Sequence, residues 1–206
     1  MEDILDVYAL PRDDDVPLVC MDEQPVQLLK DRYEAIEMKS GSPKKEDFQY
    51  IRNGTCSIFM FTAPHLGWRH VDAMERRTKV DWASQVDYLV NVIFPDKRKI
   101  RLVLDNLNTH GLGSLYEAFD AVKARSIAER LELHFTPKHG SWLNIAEIEL
   151  AALSVQCLSR RIGDLSFLRG ELSLWEVSRN NNSKTVNWHF TTENARGKLR
   201  FLYPKI

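Results

Sequence analysis

Residues 99–110 read KIRLVLDNLNTH. The apolar run Ile100–Leu104 is too short for a globular helix and suits a buried strand. It runs straight into an acidic residue, Asp105, and then into a polar loop holding Asn106, Asn108 and His110. Residues 16–22, VPLVCMD, repeat that pattern and end in Asp22. Two short apolar strands, each delivering an aspartate where it stops, are the pattern from which the rest of the chain is read.

Working outward, residues 1–10 (MEDILDVYAL) have apolar positions at helical spacing, and residues 11–15 (PRDDD) form a polar break. Residues 55–62 (TCSIFMFT) and 68–74 (WRHVDAM) predict two strands joined by a hairpin turn over Pro64 to Gly67. Thr78 or Asp81 caps a helix running to about Ile93, with Pro95 beyond it. Residues 114–130 predict one long helix and residues 131–136 (LELHFT) a further strand. A helix follows over 145–162, with Gly163 placed as its stop, then another over 167–179. The tail reads as a short extended piece, 185–190, and a closing helix, 192–203. Three strands, then strands alternating with helices, predict an α/β fold: a mixed five-stranded sheet, its first three strands antiparallel, flanked by helices.

Composition narrows the class. The 206 residues are 44% hydrophobic and 28% charged, the balance of a folded chain with one sizeable core. No apolar run approaches the roughly 18 residues of a membrane span, and no signal peptide is evident at Met1-Glu2-Asp3. Cys20, Cys56 and Cys157 form no CxxC pair, which favours reduced thiols and a cytoplasmic setting over a zinc or disulfide framework. The net charge of −1 argues mildly against a stand-alone nucleic-acid binder, although phosphate contacts depend on local patches.

If the first and fourth strands are neighbours, Asp22 and Asp105 lie side by side at one edge of the sheet. Like charges held so close call for a cation. Hard divalent ions suit carboxylate oxygens, and a pair of them about 3.5–4 Å apart is the usual apparatus of phosphoryl transfer. A third carboxylate is expected from the helix after the fifth strand. Residues 139–150, HGSWLNIAEIEL, offer Glu147 and Glu149, with Asn144 as an N-cap. Two residues apart on a helix, both glutamates cannot point inward, and spacing alone leaves the choice between them open.

The blocks MDEQPVQLL, LVLDNLNTH and FTPKHGSWLNIAEIEL resemble, in order, the three signature blocks of insertion-sequence transposases of the mariner-like DDE superfamily. The tail NWHFTTENARGKLRFLYP is similar too, so the resemblance spans nearly the whole chain. It implies a ribonuclease-H-like catalytic domain over 16–163, preceded by a helix remnant and linker (1–15) and followed by a helical extension (164–206). It implies Asp22, Asp105 and Glu147 as catalytic, metal-ligating residues, Glu147 being favoured because NIAE matches the third block. It also implies two Mg²⁺ ions, replaceable by Mn²⁺, and DNA strand cleavage followed by strand transfer. The 41 residues between Asp105 and Glu147 exceed the usual spacing, and the surplus is assigned to 111–130.

Such transposases carry an N-terminal helix-turn-helix domain, for which only residues 1–10 stand before the first catalytic strand. The expected partners are therefore element-end and target DNA, a second copy of the chain, and a separate chain supplying the DNA-binding domain, in a nucleoid-associated setting. Candidate DNA contacts are Asn108 and His110 beside Asp105, Lys138 and His139 ahead of the last helix of the site, and Lys44 and Lys45 in the basic loop 39–45. For His110 a phosphate-orienting role, a proton shuttle and a plain loop position are all open. Trp142 is expected to pack rather than stack on bases. A non-catalytic remnant or dimerising regulator is the competing class, and a nuclease for RNA–DNA hybrids a third.

Overall fold

Alternation along the first strand fixes which residues face which side of the sheet. A computed structural model of the chain describes residues 1–45 and 48–203. Strand β1 (Leu18–Asp31) pairs antiparallel with β2 (Tyr50–Ala63), which pairs antiparallel with β3 (Trp68–Met74). On its other side β1 pairs in parallel with β4 (Ile100–Leu104), and β4 pairs in parallel with β5 (Leu131–Phe135). The order is β3-β2-β1-β4-β5, a mixed five-stranded sheet as the strand pattern predicts.

Successive side chains on a strand point to opposite faces. Leu18 and Cys20 accordingly join one core with Ile58, Met60 and Val103, while Val19 and Met21 join a second with Phe59, Leu102 and Leu104. The first core is covered by α1 (Glu2–Ala9), α5 (Ala146–Gln156), α6 (Leu165–Asn181) and α7 (Thr192–Lys198). The second is covered by α2 (Lys79–Tyr88), α3 (Leu112–Ala118) and α4 (Ala121–Ala128). Continuous apolar runs in β1, β2 and β4 follow from burial on both faces. None of the described helices is long and apolar enough to cross a membrane.

Several elements differ from the sequence expectation for identifiable reasons. β1 continues nine residues past Asp22, because QPVQLLKD pairs with β2 as a ribbon. Pro25, which has no N–H to donate, is tolerated because β1 pairs with β4 only over Leu18–Cys20. Residues 114–130 form two helices: Phe119 is extended, and the Asp120 carboxylate caps α4 by accepting from the Val122 and Lys123 N–H groups at 3.0 Å. Thr78 and Asp81 both cap α2, as a reciprocal capping box, and a π-helical turn over Leu89–Ile93 finishes it.

Helix α5 stops at Gln156, well short of Gly163. The chain then leaves the helix to reach β1 and β2: the Leu29 N–H donates to the Ile162 carbonyl at 2.8 Å, and the Asn53 amide to the Gly163 carbonyl at 2.7 Å. Ile162 is buried without being helical, which is why the apolar periodicity outran the helix. The predicted closing helix is the short α7 followed by a 3₁₀ turn, Arg200–Leu202. Within residues 1–10, Ile4, Leu5, Val7 and Tyr8 join the core, Ile4 and Leu5 wholly buried.

Candidate active site

The parallel ladder sets the geometry of the two aspartates. Leu18, Val19 and Cys20 pair with Arg101, Leu102 and Val103. Carried two residues on, that register places Asp22 opposite Asp105, where β4 ends and its loop begins. Asp22 shares the face of Cys20, so it points toward α5. Gln24, two residues along the same face, bonds Ser154 of α5 at 3.1 Å.

Glu147 lies in the first turn of α5 and completes the group. Burial raises the Asp22 pKa. The Glu23 N–H on its Oδ1 (2.8 Å) and the His110 charge oppose that, the charges of Asp105 and Glu147 add to it, and the result is about 6. The carboxylates are thus close enough to penalise one another's ionisation. The structure brings Asp22, Asp105 and Glu147 to one edge and turns Glu149 away.

Glu149 is 1% exposed and accepts from Arg69 at 2.8 Å and from Arg179 at 2.8–3.2 Å. Its pKa lies below the usual carboxylate value: burial alone would raise it, and the two guanidinium groups outweigh burial. Glu149 is thereby engaged by two guanidinium groups on β3 and α6.

His110 is 2% exposed, which removes it from reach of a DNA phosphate. Its Nε2 donates to Glu23 Oε1 at 2.9 Å and its Nδ1 lies 2.5 Å from Asp105 Oδ1, a charge contact off the line of a good hydrogen bond. The ring stacks on Trp82 at 5.9 Å. Burial alone would lower its pKa, but the adjoining Asp105 and Glu23 carboxylates raise it to about 9. At neutral pH it is an imidazolium bridging the two acids. Glu23 was not singled out from sequence. Its position next to Asp22 on a strand puts it on the opposite face, the side of α2 and Trp82, and that parity was the available signal.

The other expected contacts divide by position. Asn108 is exposed in the loop leaving β4, and Lys138 and His139 are exposed in the loop leaving β5, the same end of the sheet as Asp105. His139 adopts a left-handed backbone, φ 63°. Lys44 and Lys45 are exposed beyond the end of the β1–β2 ribbon, where the Lys45 and Ile36 backbones pair. At about 3.3 Å per residue, the nine residues from Asp22 to Asp31 carry that loop roughly 30 Å from the carboxylates. Trp142 is 44% exposed and meets Phe190 edge-on at 5.8 Å, so it packs only in part.

Asp105 Oδ1 and Glu23 Oε2 are buried without a hydrogen-bond partner. Among the described residues no three His, Cys, Asp or Glu side chains are drawn together tightly enough to hold an ion. In kind, a donor set of three carboxylates near one sheet edge suits a hard divalent cation.

The β3-β2-β1-β4-β5 sheet, covered on both faces and carrying one acid within β1 and another just past the end of β4, defines the ribonuclease-H-like class. The chain belongs to the DDE superfamily endonuclease family, whose model matches residues 17–169. In solved structures the same fold occurs in the crystal structure of the mariner Mos1 paired-end complex with Mg, at 15% identity. That match covers 92% of this chain and 56% of the other, with TM-score 0.57. The paired-end complex with Mn is 12% identical over 89% and 56%, TM-score 0.56, and the Mos1 strand transfer complex 13% identical over 82% and 49%, TM-score 0.55. The chain spans about half the length of these structures. No curated protein matches it.

Proposed function

We propose that this chain is the catalytic unit of a DNA transposase, with Asp22, Asp105 and Glu147 as its catalytic and metal-holding residues. The observation that carries the reading is the β1–β4 register, which aligns Asp22 with Asp105 while α5 presents Glu147 to the same edge. Membership of an endonuclease family supports hydrolytic chemistry on nucleic acid. The paired-end and strand transfer complexes formed by Mos1 support DNA as the substrate, and a pair of chains acting on element ends and target DNA is part of the proposal.

Asp22, Asp105 and Glu147 would hold the divalent ions, two Mg²⁺ or Mn²⁺ in their place, which would supply Lewis-acid polarisation of the phosphoryl group and activation of water or a 3′-hydroxyl. The chain's own residues do the rest. Asp22 and Glu147 face the edge from strand and helix, and His110 fixes the Asp105 side chain from below. Asn108, Lys138 and His139 stand in the loops around that edge, where phosphate oxygens of a bound strand would meet them. Lys44 and Lys45, on the distant ribbon, serve DNA further from the scissile bond.

Labelled duplex DNA incubated with Mn²⁺ tests the reading, comparing the native chain with Asp105→Asn. Metal-dependent nicking that the substitution abolishes is the expected result. Absence of nicking in the native chain, together with absence of Mn²⁺ binding by calorimetry, would overturn it in favour of a non-catalytic remnant or regulator.

A further inference from the structure

Glu147 sits in the first turn of a helix whose N-cap residue, Ile145, offers no side chain to the free N–H groups. A helix start of this kind frays unless something else fixes it. Two anchors flank Glu147. Three residues before it, the Asn144 amide donates to the Met21 carbonyl at 2.7 Å, directly beside Asp22, while its Oδ1 accepts from the Ala146 N–H at 3.2 Å. Two residues after it, Glu149 is held by Arg69 and Arg179.

The second anchor is itself rigidly mounted. Arg69, on β3 and 1% exposed, donates to the Gly67 and Lys184 carbonyls at 2.6 Å, and its backbone exchanges two hydrogen bonds of 2.8 Å with the Asn180 side chain. Gly67 has φ 64°, and a side chain there would collide with the Ser183 backbone, so the turn is closed tightly over the arginine. Arg179, on α6, lies over the Trp175 ring at 5.6 Å. The Glu149 carboxylate therefore joins α5 to β3 and α6 through charge-assisted, partly bidentate bonds, the strongest kind available to side chains.

At 3.6 residues per turn, side chains two apart on a helix point about 160° apart. With Glu149 fixed inward, Glu147 is directed to the opposite side, toward the edge that carries Asp22. Replacing a whole buried triad of this sort by apolar residues is often neutral for stability, whereas removing one partner leaves a buried charge uncompensated, so the folding of each single variant is measured beside its function.

We propose that Glu149, Arg69 and Arg179 are positioning residues for Glu147: they set the rotation of α5 and thereby the readiness of the carboxylate group to close on a cation. This rests on the reading of Asp22, Asp105 and Glu147 as the metal-holding group.

The test is Mn²⁺ affinity by calorimetry for the native chain, Asp105→Asn, Arg179→Ala and Arg179→Lys, with thermal unfolding of each. Arg179 is partly exposed, so its removal is the milder lesion, and Glu149→Gln, isosteric and uncharged, serves as the second variant should Arg179→Ala fail to fold. Outer-shell partners of metal-holding groups are typically worth 10–100-fold in affinity. A folded Arg179→Ala chain that binds Mn²⁺ at least about tenfold more weakly, with Arg179→Lys between it and the native chain, is the expected result. Native-like Mn²⁺ affinity in a folded Arg179→Ala or Glu149→Gln chain, with Asp105→Asn impaired, would overturn the positioning role and leave the active site standing. A native chain that binds no Mn²⁺ would overturn both.

Discussion

His110 is held between the buried Glu23 and the partly exposed Asp105, and removing it leaves Glu23 above all without a counter-ion. Deleting one partner of a buried pair costs about 3–5 kcal/mol, far more than the pair itself contributes. His110→Ala is expected to lower the urea unfolding free energy by an amount in that range, and an effect under about 1 kcal/mol would show that the imidazolium is not the charge balance described here. Glu23→Gln, which keeps an acceptor for the ring, should cost distinctly less. Sequence could place His110 beside Asp105, because both lie in one short loop. It could not reveal that the ring turns inward, because its partner Glu23 and its stacking partner Trp82 come from β1 and α2. Glu149 teaches the same lesson: its partners lie 80 and 30 residues away, so no local pattern distinguishes it from Glu147.

Elements were legible where a local signal and the tertiary outcome agree. β3, β4 and β5 lie within a residue of the stretches predicted from apolar runs, and the capping box of α2 sits on Thr78 and Asp81. Errors arose where a distant segment supplies the hydrogen bonds. The polar half of β1 is a strand only because β2 pairs with it, and the region after Gln156 is irregular because β1 and β2 bond its carbonyls. The break between α3 and α4 is different in kind, for Asp120 announces it locally as a cap. Removing that cap by Asp120→Ala should cost about 1 kcal/mol by chemical denaturation, the usual value of an N-cap carboxylate. A neutral result would show that tertiary packing of Ala124 and Ile127, rather than the cap, sets where α4 begins. Asn144→Ala makes the complementary case on α5, since it deletes the bond to the Met21 carbonyl and strands a buried acceptor. A loss of about 1–3 kcal/mol is expected from the unfolding midpoint.

At the scale of the whole chain, its two ends meet on the face that carries α5. Arg196 of α7 pairs with Glu2 of α1 at 2.7–2.8 Å, Thr192 bonds Asp6, and Tyr8 packs on Trp188 while donating to the Leu143 carbonyl just ahead of α5. Two kinds of force act there, and their sizes decide which matters. The Glu2–Arg196 pair is in water, where ion pairs add little. Ile4 and Leu5 are wholly buried, and each buried side chain of that size brings about 1.5–3 kcal/mol. Together they represent a large share of the roughly 5–15 kcal/mol by which domains are stable. Arg196→Ala should therefore leave the thermal midpoint almost unchanged, whereas deleting residues 1–10 should unfold the chain or drive it into aggregates, because it uncovers Leu143, Ile145 and the approach to Glu147. If the truncated chain instead melted cooperatively near the native temperature, α1 would be a detachable cover, and α5 would be supported by its core packing and by its bonds to Asn144, Arg69, Arg179, Gln24 and Trp175.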